Sequence, residues 1–123
     1  MTKEREYDLQ DRLVDYAVRI IKLSEALPET KAGKHIATQL LRSGTAPAPN
    51  YGEAQSAESR ADFVHKLKVG LKELRETDIW LKVIVKAQMV KPASLIALLL
   101  QETDELIAIL FTSVMTARKS KPR

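Results

Sequence analysis

Between Ser59 and Lys91 the chain reads SRADFVHKLKVGLKELRETDIWLKVIVKAQMVK, with no proline and a single glycine. So long an uninterrupted stretch has to be a helix, and its apolar residues decide what can pack around it. On a wheel of about 100° per residue, Phe63, Leu67, Gly70, Leu71, Leu74, Leu81 and Val85 share one arc, the expected core stripe. Gly70 within that stripe predicts a close approach by a neighbouring backbone. Lys68, Lys72, Arg75, Lys82 and Lys86 fall on the solvated side, while Val69, Trp80, Val83, Ile84 and Ala87 form a second flank beside Glu73 and Glu76. A bundle helix in a monomer needs one buried stripe. The second flank therefore predicts a partner surface made of Val69, Glu73, Glu76, Trp80, Val83, Ile84 and Ala87. The alternative is that Trp80 lies half-buried at the bundle edge, where large apolar residues often sit.

The rest of the chain is organised to cover this helix. A length of 123 residues suits one domain, residues 1–123, with a core large enough to need no staples. The absence of cysteine excludes disulfides and thiolate chemistry and makes a reducing cytoplasm the expected compartment. The first residues, MTKEREYDLQDR, are charged and contain no apolar run of the secretory kind. Leu95–Leu100 is far too short to span a bilayer, so no membrane partner is expected. Few glycines, few prolines and 5% aromatics favour helices over sheet.

Leu9, Leu13, Tyr16, Ala17, Ile20, Leu23 or Ser24, and Leu27 repeat at helical spacing and predict a first helix over about 6–27, closed by Pro28. Thr30 is a good N-cap for the second, with Ile36, Ala37, Leu40 and Leu41 on its apolar side. Gly44, Pro47 and Pro49 predict a kink near 44–50 within a helix over 30–57, because each internal proline removes a hydrogen bond. Ser59 and Asp62 make a capping-box pattern at the start of the third helix, 59–90. Pro92 suits the first turn of a fourth, 92–117. Its stripe Leu95, Leu99, Leu106, Leu110 and Ser113 is widened well beyond half the circumference by Ile96, Leu100, Ile107, Phe111 and Val114. Short connections make neighbours antiparallel: an all-α, up-down-up-down four-helix bundle with a basic tail at 118–123.

The net charge of +4 is unevenly spread. The positive excess belongs to the third helix and to the tail RKSKPR. Lys68, Lys72, Arg75, Lys82, Lys86, Arg118, Lys119, Lys121 and Arg123 are therefore the candidates for neutralising nucleic-acid phosphate. A lysine-rich face of any water-exposed bundle looks the same, and a short basic tail is commonly disordered.

Reactive constellations are missing. Only His35 and His65 are present, and Asp62-Phe-Val-His65 is a single copy of a bundle metal motif that needs two, so no metal and no cofactor are expected. No Gly-x-Ser-x-Gly elbow and no glycine-rich phosphate loop occurs, and no catalytic activity is expected. Lys72 stands four residues before Glu76, at ion-pair spacing. Asp78 lies inside the core arc, and a buried carboxylate needs a partner. Arg42 and Asn50 are the candidates for a polar lock with Asp78, in which case Asp78→Ala lowers the melting temperature.

Four blocks carry a resemblance: QLLRSGT at Gln39–Thr45, NYGEA at Asn50–Ala54, AESRADF at Ala57–Phe63 and KELRETDIWL at Lys72–Leu81. In this order and spacing they resemble the family of small four-helix-bundle proteins encoded in intervening sequences of bacterial 23S rRNA genes. Pro47 and Pro49 depart from that pattern. The resemblance implies an antiparallel bundle that assembles as a homopentamer, with no established catalytic activity. The family is also similar to the accessory bundle protein of diversity-generating retroelements, a pentameric barrel that associates with a reverse transcriptase and with nucleic acid. Matching positions Arg42, Asn50, Tyr51, Glu53, Glu58, Arg60, Glu73, Glu76 and Trp80 become candidates for packing and assembly. The expectation is a homo-oligomer that associates with RNA; the alternatives are an adaptor for a partner such as a reverse transcriptase, and a structural product with no ligand.

Overall fold

A computed structural model describes residues 2–119. Five helical segments follow one another: α1 Thr2–Ala26, α2 Lys31–Thr45, α3 Pro47–Gln55, α4 Arg60–Lys86 and α5 Ser94–Lys119. α2 and α3 together form one leg of a four-legged bundle. α1 packs on that leg, the leg on α4, α4 on α5, and α5 closes back on α1, leaving α1 and α4 on the diagonal. Among the described residues there is no strand, and no helix is long and apolar enough to cross a membrane.

Local chemistry explains most of the boundaries. The Thr30 side chain accepts from the Gly33 amide at 3.0 Å, and the Ser59 side chain accepts from the Asp62 amide at 3.1 Å, so both expected N-caps are made. The kink takes the form of a break between two helices. Pro47 and Pro49 donate nothing, but Ala46 keeps helical dihedrals (φ −70, ψ −35) and its carbonyl accepts from the Asn50 amide at 3.1 Å. The leg bends there without leaving the helical path.

α4 stops at Lys86, short of the expected 90. Gln88 adopts φ 54, and the amides of Gln88 and Met89 reach back to the carbonyls of Val85 and Ile84, each at 3.1 Å. These paired bonds are the usual way a helix terminates on a left-handed residue. Pro92, preceded by a cis bond from Lys91, then lies ahead of α5 instead of in its first turn.

Along α4, and along α5 as far as Leu110, the core follows alternating steps of three and four residues. Leu67, Gly70, Leu74, Thr77, Leu81 and Ile84 are buried along α4, with Leu71 beside them, and Ile96, Leu99, Thr103, Leu106, Leu110 and Val114 along α5. Steps of three and four in alternation are the signature of nearly parallel helices. Two expectations are corrected by this period. Val85 is 37% exposed while Ile84 is fully enclosed, and Leu95 is 58% exposed while Ile96 takes its place in the core. A 3.6-residue wheel drifts against a 3.5-residue seam, so the error surfaces at helix ends.

The close approach is also relocated. A Cβ on Gly70 would find only ordinary contacts, the nearest being Asn50 Cβ at 3.5 Å. One on Gly44 would lie 2.7 Å from two carbons of buried Ile20, and one on Gly33 would lie 2.0 Å from the Pro28 carbonyl oxygen. The glycines that admit a neighbour are on the second leg, where α1 and its exit loop press against it.

Candidate functional site

The flank of α4 that carries Trp80 faces α2. Arg42 on α2 sends Nη1 to Glu73 Oε1 at 3.2 Å and Nη2 to Glu76 Oε2, and also donates to Gln39 Oε1 at 3.1 Å. Trp80 Nε1 donates to the same Glu76 oxygen at 3.0 Å, and the indole meets His35 of α2 edge-on with ring centroids 6.0 Å apart. Trp80 is therefore half-buried at the bundle edge, covered in part by its own chain. Glu76 is held by Arg42 and Trp80, so the expected pair with Lys72 is not formed. Beneath this cluster the Thr77 hydroxyl lies 2.8 Å from both Ser43 Oγ and the Glu73 carbonyl.

The remaining flank residues divide. Val69 is half-buried, Val83 and Ala87 are exposed, and Ile84 is excluded from any partner surface because it has no accessible area left. The period of the seam turns Ile84 inward, one position from where the wheel puts it. The structure instead exposes Ile79, 57% accessible on the outer face of α4 next to Val83. On the helical wheel Ile79 falls among Arg75, Lys82 and Lys86, on the side expected to face water. A comparable stripe runs along α1, where Val14, Val18 and Ile21 are exposed, with Leu41 exposed on α2. The four-then-three spacing of Val14, Val18 and Ile21 was the available signal.

Asp78 does not meet Arg42 or Asn50. One helix step beyond Thr77 turns Asp78 away from α2, and its Oδ2 accepts from Lys82 Nζ at 2.8 Å while Oδ1 is buried without a partner. Asn50 instead packs over Gly70. Arg42 and the two glutamates form a register clamp between α2 and α4, whereas Asp78 locks no pair of helices.

The cationic candidates lie along the outer face of α4 and the end of α5. Lys68, Lys72, Arg75 and Lys86 are exposed and make no ion pair among the described residues. Lys82 is committed to Asp78, whose hydrogen bond raises the ammonium pKa. Arg118 lines a surface cleft together with Val64, His65 and Lys68, and His65, Lys68, Lys72 and Arg75 line the adjoining one. The structure thus brings Lys68 and Arg118 together across the α4–α5 seam. Lys119 closes α5, and Lys121 and Arg123 lie outside the described residues. Among the described residues no group of three or more His, Asp or Glu side chains gathers into a metal-holding set.

The fold and these surfaces define a small helical bundle whose polar clusters clamp its own helices and whose α4 carries a row of exposed cations along its outer face. Family comparison makes this specific: the model of the 23S rRNA-intervening sequence protein family matches residues 5–112, and the chain belongs to that family. It is similar to a crystal structure of a protein of unknown function from the S23 ribosomal protein family of Bacteroides thetaiotaomicron VPI-5482, with a TM-score of 0.80 and 31% identity over 86% of this chain and 97% of that one. No curated protein matches.

Proposed function

We propose that this chain is a non-enzymatic, homo-oligomeric bundle of the cytoplasm that associates with RNA along the outer face of α4. The observation that carries the reading is the row Lys68, Lys72, Arg75 and Lys86, exposed and without an acidic partner among the described residues, extended across the helix seam by Arg118. Cations already paired within a fold have little to gain from phosphate, whereas unpaired ones release condensed counterions on binding. Repeating the face on every subunit of a homo-oligomer, five in number if the resemblance holds, raises avidity for a long strand without new contacts. The exposed apolar residues, spread over α1, α2, α4 and α5, support self-association, since monomers rarely leave large apolar faces open.

Binding of a single-stranded RNA followed by fluorescence anisotropy across a salt series tests the RNA part. With Lys68, Lys72 and Arg118 each neutralising one phosphate per subunit, the logarithm of affinity should fall against the logarithm of salt with a slope of about −2. Lys68→Glu with Lys72→Glu should weaken binding at least tenfold without changing thermal unfolding. Binding that ignores salt, or that survives the double substitution, rejects the reading.

A further inference from the structure

Two outer faces of the bundle are apolar along their centres and opposite in charge along their margins. On α1, exposed Val14, Val18 and Ile21 are accompanied on the outward side by half-buried Asp11 and exposed Asp15 and Glu25, with the cations Arg19 and Lys22 along the margin toward α5. On the second half of α4, exposed Ile79 and Val83 lie among Arg75, Lys82 and Lys86. α1 and α4 stand on the bundle diagonal, so the two faces point away from each other and cannot meet within one chain.

We infer that the outer face of α1 is the docking surface for the Ile79–Val83 face of α4 on a second copy of this chain. The step rests on the homo-oligomer reading above and specifies which surfaces meet. Charge selects the pairing: two α4 faces brought together oppose cation to cation, two α1 faces oppose carboxylate to carboxylate, and only the mixed contact matches both the apolar centres and the charged margins. Such a contact is head to tail. Each copy that docks leaves one α1 face and one α4 face free at the ends, so the arrangement grows until a rotation closes it into a ring. The docking also divides the cationic row. Arg75 and Lys86 turn toward the neighbour's carboxylates, and Lys68, Lys72 and Arg118 remain open to phosphate on each subunit.

A mixing experiment tests the assignment. Val18→Asp spoils the α1 face and leaves the α4 face intact; Ile79→Asp does the reverse. Both sites are exposed, so each variant should keep the wild-type helical content and unfolding midpoint. In sedimentation velocity at micromolar concentration the wild type should run as a closed oligomer and each variant alone as a monomer. An equimolar mixture of the two should form a one-to-one heterodimer and nothing larger, because one intact α1 face meets one intact α4 face and the other two are spoiled. If the wild type assembles but both variants assemble equally well, the faces are misassigned while the homo-oligomer reading stands. If both variants are monomers but their mixture stays monomeric, the contact is not head to tail between these faces. A monomeric wild type overturns the homo-oligomer reading itself.

Discussion

The α2–α4 seam and the α1–α5 seam are built from the same parts in different proportions. Each has an arginine bridging two glutamates three residues apart: Arg42 with Glu73 and Glu76, and Arg12 with Glu102 and Glu105. Each has a buried hydroxyl pair beside that bridge, Ser43 with Thr77 and Tyr16 with Thr103. The aromatic residue is what changes places. Trp80 lies outside the α2–α4 seam as a lid against His35, whereas Tyr16 lies wholly inside the α1–α5 side of the core. Farther along, α1 and α5 part around an apolar recess of about 250 Å³ lined by Leu23, Ala26, Val90, Leu95, Leu98 and Leu99. Polar clamps fix register at both seams, but only one seam is filled from within.

Truncating the two aromatics should show the largest difference. Tyr16→Ala empties a fully enclosed site and should cost about 3–5 kcal/mol, the range for large aromatic deletions in cores. Trp80→Ala removes a bigger side chain yet should cost only about 1–2 kcal/mol in the monomer, because part of the indole is already in contact with water. Urea unfolding at low protein concentration reads both as shifts of midpoint at constant slope. A Trp80→Ala loss that equals the Tyr16→Ala loss would mean that something beyond α2 covers the indole.

The hydroxyl pair sharpens the comparison at smaller scale. The Thr103 hydroxyl lies 2.7 Å from the Leu99 carbonyl, and the Tyr16 oxygen lies 2.6 Å from Thr103 Oγ1. Thr103→Val strands the buried phenol and should cost about 1–3 kcal/mol, whereas Tyr16→Phe leaves Thr103 bonded to Leu99 and should cost about 0.5–1.5 kcal/mol. Burial pushes the Tyr16 pKa well above its ordinary 10.0, with the Thr103 hydrogen bond opposing. The unfolded phenol ionises first as pH rises. Tyr16 therefore supports the fold fully below pH 10.0, and that contribution is lost above it. Tyr16→Phe should lack this part of the alkaline decline, and a decline of equal size in the two proteins would place the phenol in water.

Much of this fold is legible in the residues, and the misses share a physical cause. Thr30 and Ser59 act through bonds to amides three residues away, so sequence alone locates them. Ile84 and Ile96 were displaced by one position because a wheel has a fixed period and two packed helices adjust theirs. A wheel also gives an arc without naming the neighbour on each side of it. Hence Asp78 was matched to Arg42, which in fact reaches the glutamates of the adjoining flank. Gly70 sits in a stripe and so suggests a close approach, but what presses on a glycine is tertiary, and the pressure falls on Gly44 and Gly33. Arg12 escaped notice altogether. Its signal was the Glu102–Glu105 spacing on α5, a repeat of Glu73–Glu76 on α4. Of the exposed apolar residues, Val83 and Ala87 are legible; Ile79 and the α1 stripe are not, because an apolar residue among charges reads as part of a solvated face until the packing is known.

The two arginine bridges should differ least. Half-exposed ion pairs contribute about 0.2–1 kcal/mol, and salt weakens them. Within that range the α1–α5 bridge is the stronger by geometry. Arg12 holds Glu102 with two bonds, Nε at 3.1 Å and Nη2 at 2.7 Å, and adds Glu105 at 2.9 Å. The hydrogen bonding of Arg12 to Glu102 is also the main reason the guanidinium pKa is raised. At the other seam Glu76 has a second donor in Trp80 and loses less when its arginine leaves. Arg12→Met, which keeps the apolar stem, should therefore destabilise more than Arg42→Met at low salt, and the difference should shrink at high salt. Equal losses at both salts would show that the two bridges work through their stems, leaving the aromatic as the only real difference between the seams.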